Sequence, residues 1–317
     1  MRLTFSFVFS ALLLASFHLD AATDASLSPT ISDLSYTKPA RLVDVGSGRM
    51  MNIRCQGTGS PTVILDAGLG DDTISWAMVQ PGIALTTQVC SYDRAGLGFS
   101  DGNQIPSTAK NNAQDLHSLL GAANIGPPYV LVAHSAAGMY IRVFADHYPS
   151  EVAGMVSVEG SHEDQSRKGW AIGAPGQKEK WDAFLTETGE CVGKAQVGLA
   201  KGTPDFEKCV GQPDPMFSQE INDVRARVAA TPHWQSAVNS ERRALFYASA
   251  EETRTTRKSY GAIPIIVLTH SPYPKRDDET QEERDRRTLL WEFLHLEIAA
   301  MSTRGINIIV PNSGHYV

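Results

Sequence analysis

The amino-acid sequence predicts an α/β protein with a mostly parallel sheet of about eight strands that is covered by helices. Short apolar runs alternate with longer amphipathic stretches along most of the chain. Four of the apolar runs are almost continuous, and they occupy 63–65, 130–132, 265–268 and 306–310. Strands that are buried on both faces have this pattern, and such strands are typical of parallel sheets between two layers of helices.

The predicted elements follow one another in an α/β order. Strands are predicted near 41–46, 50–55, 62–66, 88–92, 129–133, 153–158, 263–269 and 305–310. Helices of the core are predicted near 107–123, 137–147 and 280–302. Only the glycine-containing segment 46–49 separates the first two strands, which indicates a hairpin.

The pattern changes between 161 and 261, where no strand-like run occurs. Helical stretches are predicted near 217–230 and 233–257 instead. We therefore expect a helical cap at 161–261, inserted between two parts of an α/β core at 38–160 and 262–317.

The composition excludes several classes of protein. Hydrophobic residues make up 42% of the 317 residues and charged residues 20%, which indicates a packed globular chain rather than a disordered one. The 28 Lys and Arg residues against 35 Asp and Glu residues leave a net charge of -7. A nucleic-acid partner is therefore not expected, since proteins that bind nucleic acids are usually basic.

The first residues have the pattern of a secretory signal peptide. Arg2 precedes a mostly apolar run at 5–17, and small residues follow at Ala21 and Ala22. We expect residues 1–21 to be removed on export. The alternative is a membrane anchor, but the run is shorter than the ~20 residues that a spanning helix needs, so no stable membrane span is expected after signal removal.

The carboxyl end of the sequence has the pattern of an incomplete domain. The sequence stops at Gly314, His315, Tyr316 and Val317, directly after an apolar strand-like run. Domains seldom end on such a segment without a further element that covers the strand. We expect the second part of the core to be truncated at its carboxyl end.

Export makes disulfide bonds the expected state of the four cysteines. Cys191 and Cys209 lie in one polar, glycine-rich stretch, and a bridge between them closes a loop of 19 residues. Cys55 and Cys90 then remain as the second pair. The alternative is four free buried thiols. Because the sequence contains no CxxC pair and no Cys/His cluster, no metal site is expected.

One segment predicts a serine nucleophile. The apolar run 129–133 leads into His134 and Ser135, and a helical stretch follows. A serine on a sharp turn between a strand and a helix needs small neighbours two positions away on each side, and Ala133 and Ala137 meet that need. The alternative is an ordinary serine in a strand-turn-helix connection.

Two further segments supply the groups that such a serine requires. Leu69 follows the run 62–66 in a glycine-rich turn, and its backbone N–H is predicted to form an oxyanion hole with that of Ala136. His315 follows the last apolar run, about 180 residues after the serine, and is predicted to act as the general base.

These segments resemble the α/β-hydrolase superfamily, in particular its serine hydrolases with a helical cap. The resemblance covers residues 38–160 and 262–317, and it includes the stretch 91–100, which is similar to the loop after the family's fourth strand. It implies the α/β-hydrolase fold and a Ser-His-acid triad that needs no cofactor. The sequence departs from the family pattern at Ala67, where a histidine is usual, and in the serine turn, where alanines replace two glycines.

The resemblance implies an acid between the serine and the histidine in chain order. Glu159, at the end of the sixth predicted strand, is favoured because a strand end gives rigid support to a carboxylate that orients an imidazole. Asp277 and Asp278 follow the seventh strand, where many family members place the acid, and they remain alternatives. Asp164 is a third alternative.

The sequence therefore predicts an exported serine esterase that cleaves a carboxylic ester or lactone of a small molecule through an acyl-enzyme, with no cofactor and no metal. Ser135, His315 and Glu159 are the predicted catalytic residues. An acyltransferase or perhydrolase with the same triad is one alternative. A catalytically silent binding protein of the same fold is another, since one fold hosts many functions.

Overall fold

The computed structural model describes residues 30–173, 175–256, 259–277 and 279–317. The predicted signal peptide at 1–21 and the alternative acid Asp278 lie outside the described residues. Within the described part of the chain, eight strands and ten α-helices follow one another in the manner of an α/β fold.

The strands form one sheet with a mostly parallel arrangement. They are β1 (Leu42–Asp44), β2 (Met50–Gln56), β3 (Thr62–Asp66), β4 (Val89–Tyr92), β5 (Tyr129–His134), β6 (Val152–Val158), β7 (Ile265–His270) and β8 (Gly305–Val310). Their order across the sheet is β1-β2-β4-β3-β5-β6-β7-β8. β2 runs antiparallel to β1 and β4, and the other neighbouring pairs are parallel. The predicted mostly parallel, eight-stranded sheet is confirmed.

The helices of the described residues divide into two groups. They are α1 (Gln80–Ile83), α2 (Ala109–Ala122), α3 (Ala137–His147), α4 (Gln165–Ile172), α5 (Gln177–Val197), α6 (Pro204–Val210), α7 (Gln219–Ala229), α8 (Pro232–Leu245), α9 (Ala248–Arg254) and α10 (Gln281–Ala299). α4 to α9 lie between β6 and β7, in the segment where the sequence predicts an insertion. The remaining helices connect the other strands. None of the described helices is both long and apolar enough to cross a membrane.

The centre of the sheet is buried because helices pack on it, whereas the edge strand β8 is partly exposed, so the apolar run at 306–310 is not buried on both faces as its pattern predicts. Every residue of β3 and β4 is buried, as the almost continuous apolar run at 63–65 predicts for a central strand. In α3, all residues from Ala137 to Ala145 are buried as well. The serine turn connects the mostly buried strand β5 to the buried helix α3.

The structure has two helices where the sequence predicts one. The sequence predicts helix throughout 233–257, whereas the chain turns at Phe246 and Tyr247, between α8 and α9. Tyr247 has φ of -123° and ψ of -94°, outside the helical region. The ring of Phe246 packs 4.6 Å from that of Trp181. We conclude that the tertiary packing of these aromatic side chains overrides the local helical pattern.

Both predicted pairs of cysteines are bonded in the structure. The Cys55–Cys90 bridge joins β2 to β4 at residues that face each other across the two strands. The Cys191–Cys209 bridge joins α5 to α6, between residues 18 positions apart in the chain. The first bridge therefore lies within the sheet, and the second ties together the helical segment.

Replacing Cys191 and Cys209 by alanine is expected to lower the free energy of unfolding by about 3 kcal/mol, because a bridge across a loop of this length restricts the unfolded chain. Chemical unfolding of the double variant and of the wild type, both under oxidising conditions, measures the difference. Equal unfolding free energies would show that this bridge does not stabilise the fold.

The carboxyl ends of β3, β5, β6, β7 and β8 meet at one edge of the sheet, because these five strands are parallel. Leu69, Ser135, Glu159 and His315 all follow one of these strands. Open α/β sheets bind their ligands at this edge. The fold thus places the predicted catalytic residues where a ligand is expected.

Candidate active site

Ser135 lies on the sharp turn between β5 and α3. Its φ is 52°, in the left-handed region that residues other than glycine seldom adopt. Backbone hydrogen bonds hold the turn, since Ser135 N–H donates to Val158 O at 3.1 Å and Ser135 O accepts from Ser161 N–H at 2.7 Å. The turn is therefore tied to the end of β6 and to the loop that follows it.

Close packing explains the small residues around this turn. A Cβ on Gly138, in the first turn of α3, would lie 2.7 Å from Gly160 Cα. Ala133 and Ala137 have no solvent exposure. Longer side chains at these positions would push the serine turn away from the loop after β6, because the interior is already filled.

His315 faces Ser135 from the segment after β8. Its Nε2 lies 3.0 Å from Ser135 Oγ, within hydrogen-bonding distance. Its carbonyl oxygen accepts from Nε2 of His134 at 2.8 Å, so the residue before the serine holds the histidine's backbone. Burial lowers the pKa of His134 to about 4. The His134 ring is thus neutral near pH 7, with its proton on Nε2, because a carbonyl only accepts.

Glu159 lies on the other side of the His315 ring. It is fully buried directly after β6, and its Oε2 is 3.4 Å from His315 Nδ1. Its Oε1 accepts from the backbone N–H of His270 at 2.7 Å, and Trp291 Nε1 donates to both oxygens at 3.2 and 3.1 Å. Burial by itself raises the pKa of Glu159, but the hydrogen bonds with His315, with the His270 N–H and with Trp291 outweigh burial and lower it. The carboxylate is therefore charged at neutral pH.

His270 lies in the site, although no sequence pattern indicated it. His270 is the last residue of β7, and its Nδ1 lies 2.6 Å from Glu159 Oε2, the oxygen that also faces His315. Its side chain is almost completely buried. The sequence could have indicated His270 through its position, because it ends the strand next to β6 and residues at the carboxyl ends of parallel strands share one edge of the sheet. His270 contacts Glu159 through both its backbone and its ring.

Replacing His270 by glutamine is expected to lower kcat by about tenfold, because Glu159 loses a neighbour that fixes its carboxylate while keeping the backbone donor. Steady-state hydrolysis of a p-nitrophenyl ester measures the effect. His147→Gln, at the far end of α3, serves as the control and should keep the wild-type rate. An unchanged kcat in His270→Gln would show that Glu159 does not depend on the ring.

In the part of the chain that the structure describes, neither Asp277 nor Asp164 forms an ion pair with His315. Asp277 is exposed in the turn before α10. Asp164, at the start of α4, forms ion pairs with two arginines. Within the described residues, the carboxylate that the structure brings to His315 Nδ1 is that of Glu159.

The backbone N–H groups of the two predicted oxyanion-hole residues have no acceptor among the described residues. Ala136 stands at the start of α3 directly after the serine, and Leu69 lies in the turn after β3, the neighbour of β5. A Cβ on Gly68 would lie 2.8 Å from His134 Nδ1. The turn that carries Leu69 therefore passes close to the serine turn.

A cavity of about 570 Å³ lies beside the turn that carries Leu69. Its walls come from this turn and from α6, α7 and α8. Phe99 and Trp234 are among its apolar lining residues, and Asp71 and Arg225 are among its charged ones. Cavities of this size and mixed lining commonly hold small organic molecules.

Comparisons with known proteins support the fold. The family model described as alpha/beta hydrolase fold matches residues 61–194. Est816, described as an N-acyl homoserine lactone degrading enzyme, has a similar structure with a TM-score of 0.57 and 15% identity, over 87% of this chain and 93% of that one. The chain has the α/β-hydrolase fold. MGS-M2, an alpha/beta hydrolase enzyme from a deep-sea metagenome library of the Medee basin, gives a TM-score of 0.57 at 16% identity, over 86% of this chain and 90% of that one.

Curated relatives match this chain over part of their length. The probable transporter efuK of Hormonema carpetanum is 33% identical over 139 residues, which are 41% of this chain and 20% of the relative. The protein YqjL of Bacillus subtilis is 31% identical over 33% of this chain and 41% of its own length. An AB hydrolase superfamily protein of Gibberella zeae is 34% identical over 32% of this chain and 33% of its own length. The match thus spans less than half of each of these relatives.

Proposed function

We propose that this α/β hydrolase is an exported serine esterase that cleaves carboxylic esters or lactones of small molecules. The observation that carries the proposal is the chain of contacts from Ser135 Oγ to His315 Nε2 at 3.0 Å and from His315 Nδ1 to Glu159 Oε2 at 3.4 Å. A nucleophile, a base within reach of its proton and a carboxylate that orients the base are the parts of a serine hydrolase triad.

The proposed reaction begins with attack by Ser135 Oγ on the acyl carbon of the substrate. His315 Nε2 takes the hydroxyl proton and then gives it to the leaving alcohol oxygen, so that the C–O bond breaks and an ester to Ser135 remains. Water then attacks this acyl-enzyme, and His315 again transfers the proton. Glu159 remains ionised throughout, holds the proton of His315 on Nδ1 and stabilises the imidazolium.

The tetrahedral intermediates carry a negative oxygen that needs donors. In the proposed mechanism, the N–H groups of Leu69 and Ala136 bind this oxygen, and the absence of an acceptor for either one among the described residues supports this role. Ala136 adds the positive end of the α3 dipole at the same point.

The proposal also assigns a role to each part of the chain and a compartment to the protein. We assign residues 161–261 as a cap whose helices form walls of the substrate cavity, and 38–160 with 262–317 as the catalytic core. The two disulfide bonds support export, because such bonds persist in oxidising compartments. The cavity supports a small-molecule substrate next to the site, since Leu69 lines it, while Ser135 and His315 are not among its lining residues.

A fluorophosphonate probe tests the function. The expected result is covalent labelling of the wild type at Ser135, found by mass analysis of the digested protein, together with hydrolysis of p-nitrophenyl esters. Competition between water and added alcohols or hydrogen peroxide separates a hydrolase from an acyltransferase or a perhydrolase. A folded wild type that neither reacts with the probe nor hydrolyses any ester of a graded chain-length series would be a silent binding protein.

A further inference from the structure

Glu241 reaches from the helical segment into the turn that carries Leu69. It lies on α8, and its side chain is 1% exposed. Its Oε2 accepts from the backbone N–H of Gly70 at 2.8 Å, directly after Leu69. Its two oxygens also accept from Arg94 Nε at 2.6 Å and from Arg94 Nη2 at 3.1 Å.

Arg94 holds the same turn from its other side. Its guanidinium donates to Ala67 O at 2.6 Å and to Gly68 O at 2.5 Å, and it forms an ion pair with Asp66 at 2.8 Å. Arg94 is 2% exposed at its side chain. The two carbonyl groups before Leu69 and the N–H group after it are therefore bound by one buried Arg–Glu pair.

Packing fixes α8 against this turn and against the loop after β4. A Cβ on Gly70 would lie 3.4 Å from Val238, and a Cβ on Gly96 would lie 2.7 Å from that of Ala237. Val238 also packs in a cluster with Leu69. The side of α8 that carries Glu241 thus contacts the core directly, without a solvent layer between the two.

We propose that Glu241 is a positioning residue that couples helix α8 to the Leu69 turn and so orients the Leu69 N–H for the oxyanion. The inference rests on the proposed function, because it assigns a task to the same site. A backbone N–H that binds a developing charge must be held in place before the reaction. Glu241 supplies this restraint from outside the core, so the helical segment contributes to catalysis as well as to the cavity wall.

The test compares Glu241→Gln and Glu241→Asp with the wild type. A glutamine has a single acceptor oxygen, so it presents an NH2 group to Arg94 or to Gly70 N–H. An aspartate keeps the charge beside Arg94 but is too short to reach both partners. Glu163→Gln is the matched control, because it also deprives a buried arginine, Arg142, of a carboxylate at 2.5 Å while lying outside the Leu69 turn.

Three measurements are made on each folded variant. Steady-state kinetics give kcat and KM for an ester. The inhibition constant of a boronic acid, which forms a tetrahedral adduct on serine, reports the oxyanion site. Hydrogen–deuterium exchange of the backbone amides at 67–72, without any ligand, reports the order of the turn independently of activity.

We expect Glu241→Gln to lower kcat by about tenfold with KM within about twofold, since full loss of an oxyanion donor costs about 10²–10³. Boronate affinity should fall in parallel with kcat, amide exchange at 67–72 should accelerate, and Glu241→Asp should lie in between. Glu163→Gln should lose thermal stability but keep the wild-type kcat.

Two results would overturn the inference. One is a folded Glu241→Gln that keeps the kcat and the boronate affinity of the wild type. The other is equal amide exchange at 67–72 in the two proteins. If the wild type itself is inert toward esters and fluorophosphonates, the proposed function fails separately, and the exchange measurement then decides whether Glu241 holds the turn.

Discussion

Replacing Ser135 by alanine is expected to lower ester hydrolysis by about 10⁴–10⁶-fold, because the proposed acyl-enzyme has no other oxygen to form on. The substitution removes one atom from a turn that backbone hydrogen bonds hold, so the fold should persist. Steady-state kinetics with p-nitrophenyl acetate measure the loss, and the melting temperature checks the fold.

Ser118→Ala, on the exposed side of α2, is a suitable control for the loss of a hydroxyl and should retain full activity. A Ser135→Ala protein with more than about a tenth of the wild-type kcat would rule out a serine nucleophile at this position, since that residual rate far exceeds what binding alone provides.

The second large effect is expected at the acid. Glu159→Gln should lower kcat by at least about a hundredfold, because a glutamine can donate to His315 Nδ1 and so stabilise the tautomer with the proton on Nε2. That tautomer has no free Nε2 lone pair for the Ser135 proton. The contacts of Glu159 with His270, Trp291 and His315 are the structural basis of this expectation.

Asp277→Asn and Asp278→Asn are the comparison variants, and each should cost less than about tenfold. Asp277 is exposed, and solvent screens a charge at such a position. Asp278 follows it in a run of opposing charges. Kinetics of the three variants under the same conditions rank the candidate acids. A large loss in either aspartate variant, with near wild-type activity in Glu159→Gln, would move the acid to the loop after β7.

The sheet and the serine turn were predictable because they depend on local patterns. The run Val63, Ile64 and Leu65 is apolar at successive positions because both faces of β3 are covered, and this pattern indicates a parallel sheet. The apolar run at 306–310 forms the edge strand β8 instead and stays partly exposed. The order of strand, small residue, Ser135 and helix is equally local. In a parallel sheet, the residues that follow the strands lie at the same edge. Glu159 and His315 are two such residues.

The contacts of His270 and Glu241 were not predictable in the same way. His270 and Glu159 are separated by 111 positions, and Glu241 and Arg94 by 147. No periodicity connects such residues, and both pairs depend on how β7 and α8 pack on the rest of the chain. The break between α8 and α9 has the same origin, because the packing of Phe246 on Trp181 decides it. Sequence patterns predict helices and strands well, whereas tertiary packing decides which buried charged groups contact each other.

The central claim, that Ser135 forms an acyl-enzyme with the help of His315, is tested most directly by trapping that intermediate. The protein is mixed with excess p-nitrophenyl acetate, quenched with acid during turnover, digested and analysed by mass spectrometry. Our account predicts an acetyl group on Ser135 in the wild type and none on that peptide in Ser135→Ala. Turnover of the ester with Ser135 unmodified, or with the acetyl group on another residue, would contradict it.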